Sequence, residues 1–110
     1  MMYLVTTDSA NILNFSPQQT AEALERAVLP TLETFTKLKA EKKILAGGSV
    51  AGQKAHAFIV EAASNDEVAE LIEDLPLWGA HTWTVTPLES WEHHTDATHR
   101  ILKRLKAASK

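Results

Sequence analysis

The first long helix is predicted by apolar residues that recur at intervals of three and four along the chain. A capping-box pattern starts it at Ser16, with Pro17 in the first turn. Pro30 lies inside this stretch and lacks a backbone donor, but the apolar positions keep their phase across it. We therefore expect one bent helix that ends near Lys42. Its apolar positions are Ala21, Leu24, Val28, Leu32, Phe35 and Leu38.

Short runs rich in β-branched and aromatic residues predict the strands. A second helical pattern begins at Ser64 and is stopped by Pro76. A third begins at Ser90. The resulting order is β-α-β-β-α-β with an extra C-terminal helix, which is an α+β, ferredoxin-like arrangement with an antiparallel sheet. The predicted strands are residues 2–7, 44–50, 55–62 and 80–86, and residues 8–15 are expected to form a loop.

The apolar pattern of the strands also predicts an assembly. Two helices cover only one face of a four-stranded sheet, yet the strands carry apolar runs such as Leu4-Val5 rather than strict alternation. Both faces are therefore expected to be buried, through sheet-on-sheet pairing of two copies into a dimeric α/β barrel with a cavity between or beside the sheets. We expect residues 1–89 to form this domain and residues 90–110 a helical extension.

Composition excludes several classes of protein. The chain has no cysteine, which removes disulfides, thiolate catalysis and Cys-ligated zinc or iron–sulfur sites. Its net charge of −3 argues against a dedicated nucleic-acid binder, and its apolar runs are too short to span a membrane. We expect a cytoplasmic protein without a cofactor. Glu92, Asp96 and His99 share one face of the last helix, but a solvated charged strip is preferred over a metal site.

The candidate proton carriers are two histidines and one glutamate. His56 is in phase with Phe58 on the third strand, whereas Glu61 points to the other face, so the two cannot form an acid–base pair within one subunit. His81 on the fourth strand is the second imidazole, and Glu61 is a competing base. This inventory favours cofactor-independent proton transfer over nucleophilic catalysis, because no nucleophile elbow is present.

Four further residues are candidates for contact with a substrate. Trp83 shares a face with His81, and Trp78 comes just before that strand. These indole rings could form an apolar wall that contacts a small planar ligand, or they could belong to an ordinary hydrophobic core. Lys54, in the predicted hairpin turn, is a candidate partner for a carboxylate. His94 lies in the apolar stripe of the last helix, where it either packs or lines a pocket.

Several motifs between residues 58 and 88 resemble the muconolactone isomerase family. They are the strand Phe58 to Ala62, the helix start Ser64 to Glu67, the helix stop Leu75 to Trp78 and the strand end Val85 to Leu88. The resemblance implies a ferredoxin-like domain that forms dimeric barrels. It also implies a cofactor-free shift of a C=C bond in a small unsaturated lactone or acid, within aromatic catabolism.

The first half of the chain departs from the family pattern, with a Lys-rich stretch at residues 37–43 followed by Ala46-Gly47-Gly48. Two other functions therefore stay open. One is a non-catalytic dimeric module that binds a small ligand or only assembles, and the other is a cofactor-free monooxygenase of the same architecture. An imidazole that faces buried aromatic rings in a cavity would favour an enzyme over the binding module.

Overall fold

A computed structural model describes residues 1–9 and 15–109. The strands pair in the order β2-β3-β1-β4, and every neighbouring pair is antiparallel. The element order confirms the predicted ferredoxin-like α+β fold with an extra helix. The strands are β1 (Met2–Ser9), β2 (Ile44–Ser49), β3 (Ala55–Glu61) and β4 (His81–Leu88), and the helices are α1 (Pro17–Ala23), α2 (Leu29–Ala40), α3 (Asn65–Glu73) and α4 (Trp91–Ala108).

The predicted loop over residues 8–15 is partly wrong, because Asp8 and Ser9 extend β1. Asp8 pairs with Ala55 on one side, and Ser9 pairs with His81 on the other. Residues 10–14, which make up most of that predicted loop, lie outside the described residues. The added length of β1 brings the start of β4 close to the start of β3, across the end of β1.

The predicted continuation of the first helix through Pro30 is confirmed, and the helix has an irregular turn just before this proline. Between α1 and α2 the chain makes a π-helical turn over Leu24–Val28, in which the N–H of Leu29 donates to the carbonyl of Leu24. The ring of Pro30 would clash with the carbonyl one turn earlier in a regular α-helix. The wider turn accommodates it, so the helix continues to Ala40.

The end of α2 is a Schellman motif. Lys43 N–H donates to the carbonyl of Leu38, and Lys42 N–H donates to that of Lys39. Lys42 has a φ of 63°, the left-handed conformation that this motif requires. The chain therefore reverses sharply and enters β2 directly beneath α2.

The hydrophobic core lies between the helices and one face of the sheet. Burial of each large side chain there contributes roughly 1.5–3 kcal/mol. Tyr3 is fully buried, and its hydroxyl donates to Asn65 Oδ1 at 2.9 Å, which ties β1 to α3. Thr31 Oγ1 accepts from the N–H of Leu77 at 3.2 Å and fixes α2 to the segment before β4. The buried cluster is Tyr3, Val5, Leu38, Ile44, Phe58, Val60, Ala62, Val68 and Ile72.

The opposite face of the sheet has no covering element among the described residues. Its centre is the half-buried pair Leu4 and Ile59, which face each other across β1 and β3. Along β4 the same face carries the exposed threonines Thr82, Thr84 and Thr86. The uncovered face is thus mixed in character, with an apolar centre beside a hydroxyl-bearing edge.

Helix α4 has no buried residue, and only Ala97 is half-buried. The molecule measures 71 × 31 × 25 Å, an elongated shape. None of the helices in the described part of the chain combines the length and apolarity needed to cross a membrane.

Candidate functional site

Two imidazoles stack on the helix-facing side of the sheet. His56 on β3 and His81 on β4 flank the end of β1, and their ring centroids are 5.9 Å apart with 14° between the planes. Strand register produces this arrangement, because Thr7 on β1 lies opposite His56 on one side and opposite Trp83 on the other. The two histidines predicted separately from the sequence therefore belong to one site.

A hydroxyl group holds each imidazole through Nδ1. Thr7 Oγ1 lies 2.7 Å from His81 Nδ1, and Ser49 Oγ lies 2.9 Å from His56 Nδ1. Ser49 is the residue of β2 that pairs directly with His56. These hydrogen bonds fix the orientation of both rings and leave Nε2 as the atom that can exchange a proton with a ligand.

Both imidazoles sit where their charged form is disfavoured. His56 is only 8% exposed, and this burial lowers its pKa below the usual value of 6.5. Burial likewise lowers the pKa of His81; the charge of a protonated His56 adds to this effect, and Asp8 opposes it. Both side chains are therefore predominantly neutral at pH 7, the form that accepts a proton.

Aromatic side chains surround the pair. Phe35 of α2 meets the His56 ring edge-on with centroids 5.7 Å apart, and Trp83 lies 6.2 Å from His81. The indole N–H of Trp83 donates to the carbonyl of Trp78 at 3.0 Å, which fixes the orientation of the indole. An imidazole pair against such rings can take a planar ligand on an apolar surface.

A cavity of about 200 Å³ opens between α2 and the strands β2 and β3. His56 and Phe35 line it together with Gly48, and Lys39 and Thr36 line the α2 side. The volume suits a compound with one small ring. Lys39 supplies a cation beside the imidazole, which suits an anionic ligand.

A second cavity, of about 270 Å³, lies over the uncovered face of the sheet. Its lining includes Thr6, Asp8, Ala57 and Thr84. These side chains are mostly hydroxyl, carboxylate or methyl groups. His56 also borders this cavity, and apart from its imidazole the lining holds no aromatic side chain, whereas Phe35 and Phe58 line the first cavity.

The other predicted site residues lie apart from the imidazole pair. Glu61 ends β3 on the uncovered side, where it accepts a hydrogen bond from the terminal amine of Met1 at 2.8 Å. Lys54 is exposed in the turn before β3. His94 is 68% exposed on α4 and is hydrogen-bonded to Glu89, so it neither packs in a core nor lines either cavity.

Sequence reasoning did not identify Thr7, Ser49, Phe35 or Lys39. The first two are small hydroxyl residues whose importance depends on cross-strand register, which a single sequence does not display. Phe35 and Lys39 are one turn apart on α2, and this spacing was the available signal for a shared helix face. No group of three or more His, Asp or Glu side chains within residues 1–9 and 15–109 is placed to hold a metal ion.

The fold and the candidate site define a small ferredoxin-like α+β protein with a cavity between a helix and the sheet that is lined by an imidazole. The sequence model of the muconolactone delta-isomerase family matches residues 1–96. The chain belongs to this family. Among curated proteins, none matches the chain significantly in sequence.

Two solved structures share the fold. A crystal structure of muconolactone isomerase has a TM-score of 0.68 and 19% identity, covering 82% of this chain and 90% of that one. The 5-chloro-2-hydroxyhydroquinone dehydrochlorinase of Burkholderia phenoliruptrix AC1100, in complex with 2,5-dihydroxybenzoquinone, has a TM-score of 0.61 and 23% identity. This second comparison covers 84% of the present chain and 98% of the dehydrochlorinase.

Proposed function

We propose that this chain is a cofactor-independent isomerase that shifts a C=C bond in a small unsaturated lactone or acid of aromatic catabolism. The observation that carries the proposal is the stacked pair His56 and His81, held through Nδ1 and surrounded by aromatic rings. Membership of the muconolactone delta-isomerase family supports the same reaction class.

The reaction needs one proton to leave and one to return. A neutral imidazole takes the proton from the carbon beside the carbonyl, which leaves an enolate whose charge spreads over the conjugated system. The resulting imidazolium then donates the proton to the far carbon of that system, and the double bond moves. The second imidazole and the nearby hydroxyls stabilise the transient negative charge. No atom is gained or lost, and no redox partner is required.

The cavity beside His56 supports a small anionic substrate. Its volume of about 200 Å³ accommodates one ring, and Phe35 offers a flat apolar contact. Lys39 is placed to attract a carboxylate there, and Lys54 was the residue predicted for that role from the sequence. We assign Lys39 the closer position because it lines the same cavity as His56.

The proposal includes a homodimer in the cytoplasm. Pairing of two copies through the uncovered sheet face would bury Leu4 and Ile59, which are half-buried in the single chain. Such burial is favourable by roughly 25 cal/mol per Å² of apolar surface.

A non-catalytic binding module is the second candidate, but the environment of His56 favours the enzyme. A module that only binds a small apolar compound does not require two buried imidazoles. Their burial lowers the stability of the folded chain at acidic pH, where an exposed imidazole would be protonated. A related elimination reaction, as in the dehydrochlorinase of the same fold, would use the same proton-accepting pair.

The decisive experiment is an ultraviolet assay of muconolactone turnover by the purified chain and four variants. We expect His56→Ala and His81→Ala each to lower kcat by about 10²–10⁴-fold, since general acid–base groups contribute that much. Glu61→Gln and the exposed control His99→Ala should remain within about threefold of the parent. Circular dichroism of each variant checks that it is folded.

Three outcomes would contradict the assignment. If Glu61→Gln alone abolished turnover, Glu61 would be the base and the imidazole pair would be structural. If the parent chain turned over neither muconolactone nor a chlorinated hydroxyhydroquinone, yet bound such compounds, the binding module would replace the enzyme. Oxygen consumption with a quinol would instead indicate the monooxygenase.

A further inference from the structure

The two hydroxyl groups that hold the imidazole pair differ in their access to water. Thr7 on the middle strand β1 is only 4% exposed, whereas Ser49 at the end of β2 is exposed. Thr7 contacts Nδ1 of His81, and Ser49 contacts Nδ1 of His56. A hydroxyl group can donate as well as accept, so each contact is compatible with two positions of the ring proton. The difference in burial distinguishes these positions.

The burial of Thr7 determines the direction of its hydrogen bond. Within residues 1–9 and 15–109, Nδ1 of His81 is the only hydrogen-bond partner of the Thr7 hydroxyl. If Nδ1 carried the ring proton, Thr7 would accept from it, and the O–H of Thr7 would be buried without an acceptor. Native structures avoid such unpaired donors. Thr7 therefore donates to Nδ1, and the proton of the neutral His81 ring lies on Nε2.

His56 is not restricted in this way. Because Ser49 is exposed, its hydroxyl can donate to water while it accepts from an N–H at Nδ1 of His56. In that form Nε2 of His56 has a free lone pair, which a general base needs. His56 is also the imidazole that lines the cavity beside Phe35 and Lys39.

We propose that Thr7 is a positioning residue that holds His81 in the Nε2–H form, so that His81 donates a hydrogen bond to the substrate and His56 alone is the base. The inference rests on the proposed isomerase function and divides its roles between the two rings. The rings are nearly parallel, and in the described part of the chain neither Nε2 atom has a hydrogen-bond partner. A ligand that contacts both rings therefore meets a lone pair at one and an N–H at the other.

This division fits the movement of charge in the reaction. Nε2 of His56 takes the proton from the carbon beside the carbonyl, and the electron pair of that C–H bond is delocalised onto the carbonyl oxygen as an enolate. The Nε2–H of His81 donates a hydrogen bond to this oxygen and keeps its proton. The proton on His56 then returns to the far carbon. Thr7 also disfavours proton transfer from His56 to His81, because a protonated His81 would deprive the Thr7 hydroxyl of its acceptor.

Nuclear magnetic resonance of the ¹⁵N-labelled chain tests the ring protons directly and requires no turnover. Long-range ¹H–¹⁵N spectra at pH 8 distinguish a protonated ring nitrogen from a bare one, and His56→Gln and His81→Gln assign the signals. We expect the proton of His81 on Nε2 and that of His56 on Nδ1. Thr7→Val, which removes the hydroxyl but keeps the shape of the side chain, should give His81 a mixture of both forms. Thr7→Ser should restore the single form.

Turnover of muconolactone tests the role in catalysis. We expect Thr7→Val to lower kcat by about 10–100-fold, since loss of one aligned donor to a developing charge costs up to about 10²–10³-fold. KM should stay within about threefold, because the hydrogen bond strengthens as the enolate forms. Thr7→Ser should recover most of kcat. Thr6→Val is the matched control, since it makes the same change on the opposite, exposed face of β1, and it should leave both kcat and the ring signals as in the parent.

Several results would overturn the proposal. A parent chain whose His81 carries its proton on Nδ1 would contradict the assignment even in an active enzyme. An unchanged kcat in Thr7→Val, with His81 in a mixture of forms, would show that the position of this proton does not matter to the reaction. Loss of activity in Thr7→Val that Thr7→Ser fails to recover would indicate a packing role. A parent chain with the expected ring protons but no turnover would instead remove the proposed function, and with it both catalytic roles.

Discussion

The surroundings of His56 and His81 determine the protonation state of each imidazole. A solvent-exposed imidazole titrates near pH 6.5, so at neutral pH a part of it is already protonated. At His56 and His81, burial lowers the pKa, and a charge on His56 lowers the pKa of His81 further. Adjacent neutral imidazoles are suited to pass one proton between them and a ligand.

This environment predicts a pH-dependent stability. Because both pKa values are lower in the folded chain, the unfolded chain binds more protons once the pH falls to about 6.5. The free energy of unfolding should therefore decrease as the pH falls through this range towards the folded pKa values, and be fully retained above it. Urea denaturation between pH 8 and pH 5 measures this slope.

Replacing the pair provides the check. His56→Gln with His81→Gln should make the dependence of stability on pH flatter below pH 6.5, whereas His99→Gln on the exposed helix should leave the slope as it is in the parent. An unchanged slope in the double variant would show that other groups cause the acid sensitivity.

Sequence alternation was sufficient to place His56 and His81 on their strands and to separate His56 from Glu61. It could not show that the two imidazoles stack, because their contact depends on how β1 lies between β3 and β4. His94 shows the opposite limit: its apolar neighbours on α4 indicated a residue that packs or lines a pocket, but within the described chain no residue of α4 is buried.

At the scale of elements, strand β2 approaches β3 unusually closely. The pairing of the two strands is irregular between Ile44 and Ala46, and Gly47 follows with a φ of 128°. A Cβ atom at Gly47 would lie 2.3 Å from the carbonyl oxygen of Ala57, which is backbone and cannot move aside cheaply. Here only glycine permits both the conformation and the approach.

Substitution at the two neighbouring glycines should therefore have unequal effects. Gly47→Ala should lower the free energy of unfolding by about 2–4 kcal/mol, through the strained φ and the backbone clash. Gly48→Ala is the matched control, because a Cβ atom there meets nothing within 4 Å, and we expect a change below about 1 kcal/mol. Denaturant titration compares them, and equal effects would mean that β2 can move away from β3.

The first helix shows how much local structure the spacing of apolar residues can predict. Its unbroken apolar phase predicted correctly that the helix continues through Pro30. The π-helical turn was not predictable, because the same phase is kept by several local geometries, and the steric demand of the proline ring selects among them.

At the scale of the whole molecule, the chain is far from spherical. Its radius of gyration is 19.0 Å, against about 13 Å for a compact domain of this length. Helices α1 and α4 both have no buried residue and lie at the outside of the two-layer domain. The fold of that domain was predictable from element order, but the direction in which α4 leaves it was not.

The uncovered face of the sheet gives a prediction on assembly. Ile59→Lys should weaken the proposed dimer at least tenfold in sedimentation equilibrium, since it places a charge at the centre of the contact. The folded chain should keep its melting temperature within a few degrees, because lysine can reach solvent from an open face. Glu70→Lys, on the exposed side of α3, is the control. A parent chain that stays monomeric at all concentrations would contradict the dimer.

Strand β1 occupies the middle of the sheet although it is the first element in the chain, and its partner β4 is the last strand. A ribosome that adds roughly 5–20 residues per second needs several seconds to make the segment between them. Both edges of the nascent β1 are open until β3 has been made, and one stays open until β4 arrives, with unpaired backbone groups and the apolar Leu4 in reach of other chains. The topology of this sheet therefore determines when the edges of β1 become protected, and a variant whose finished fold is fully stable still passes through the same open-edged stage during synthesis.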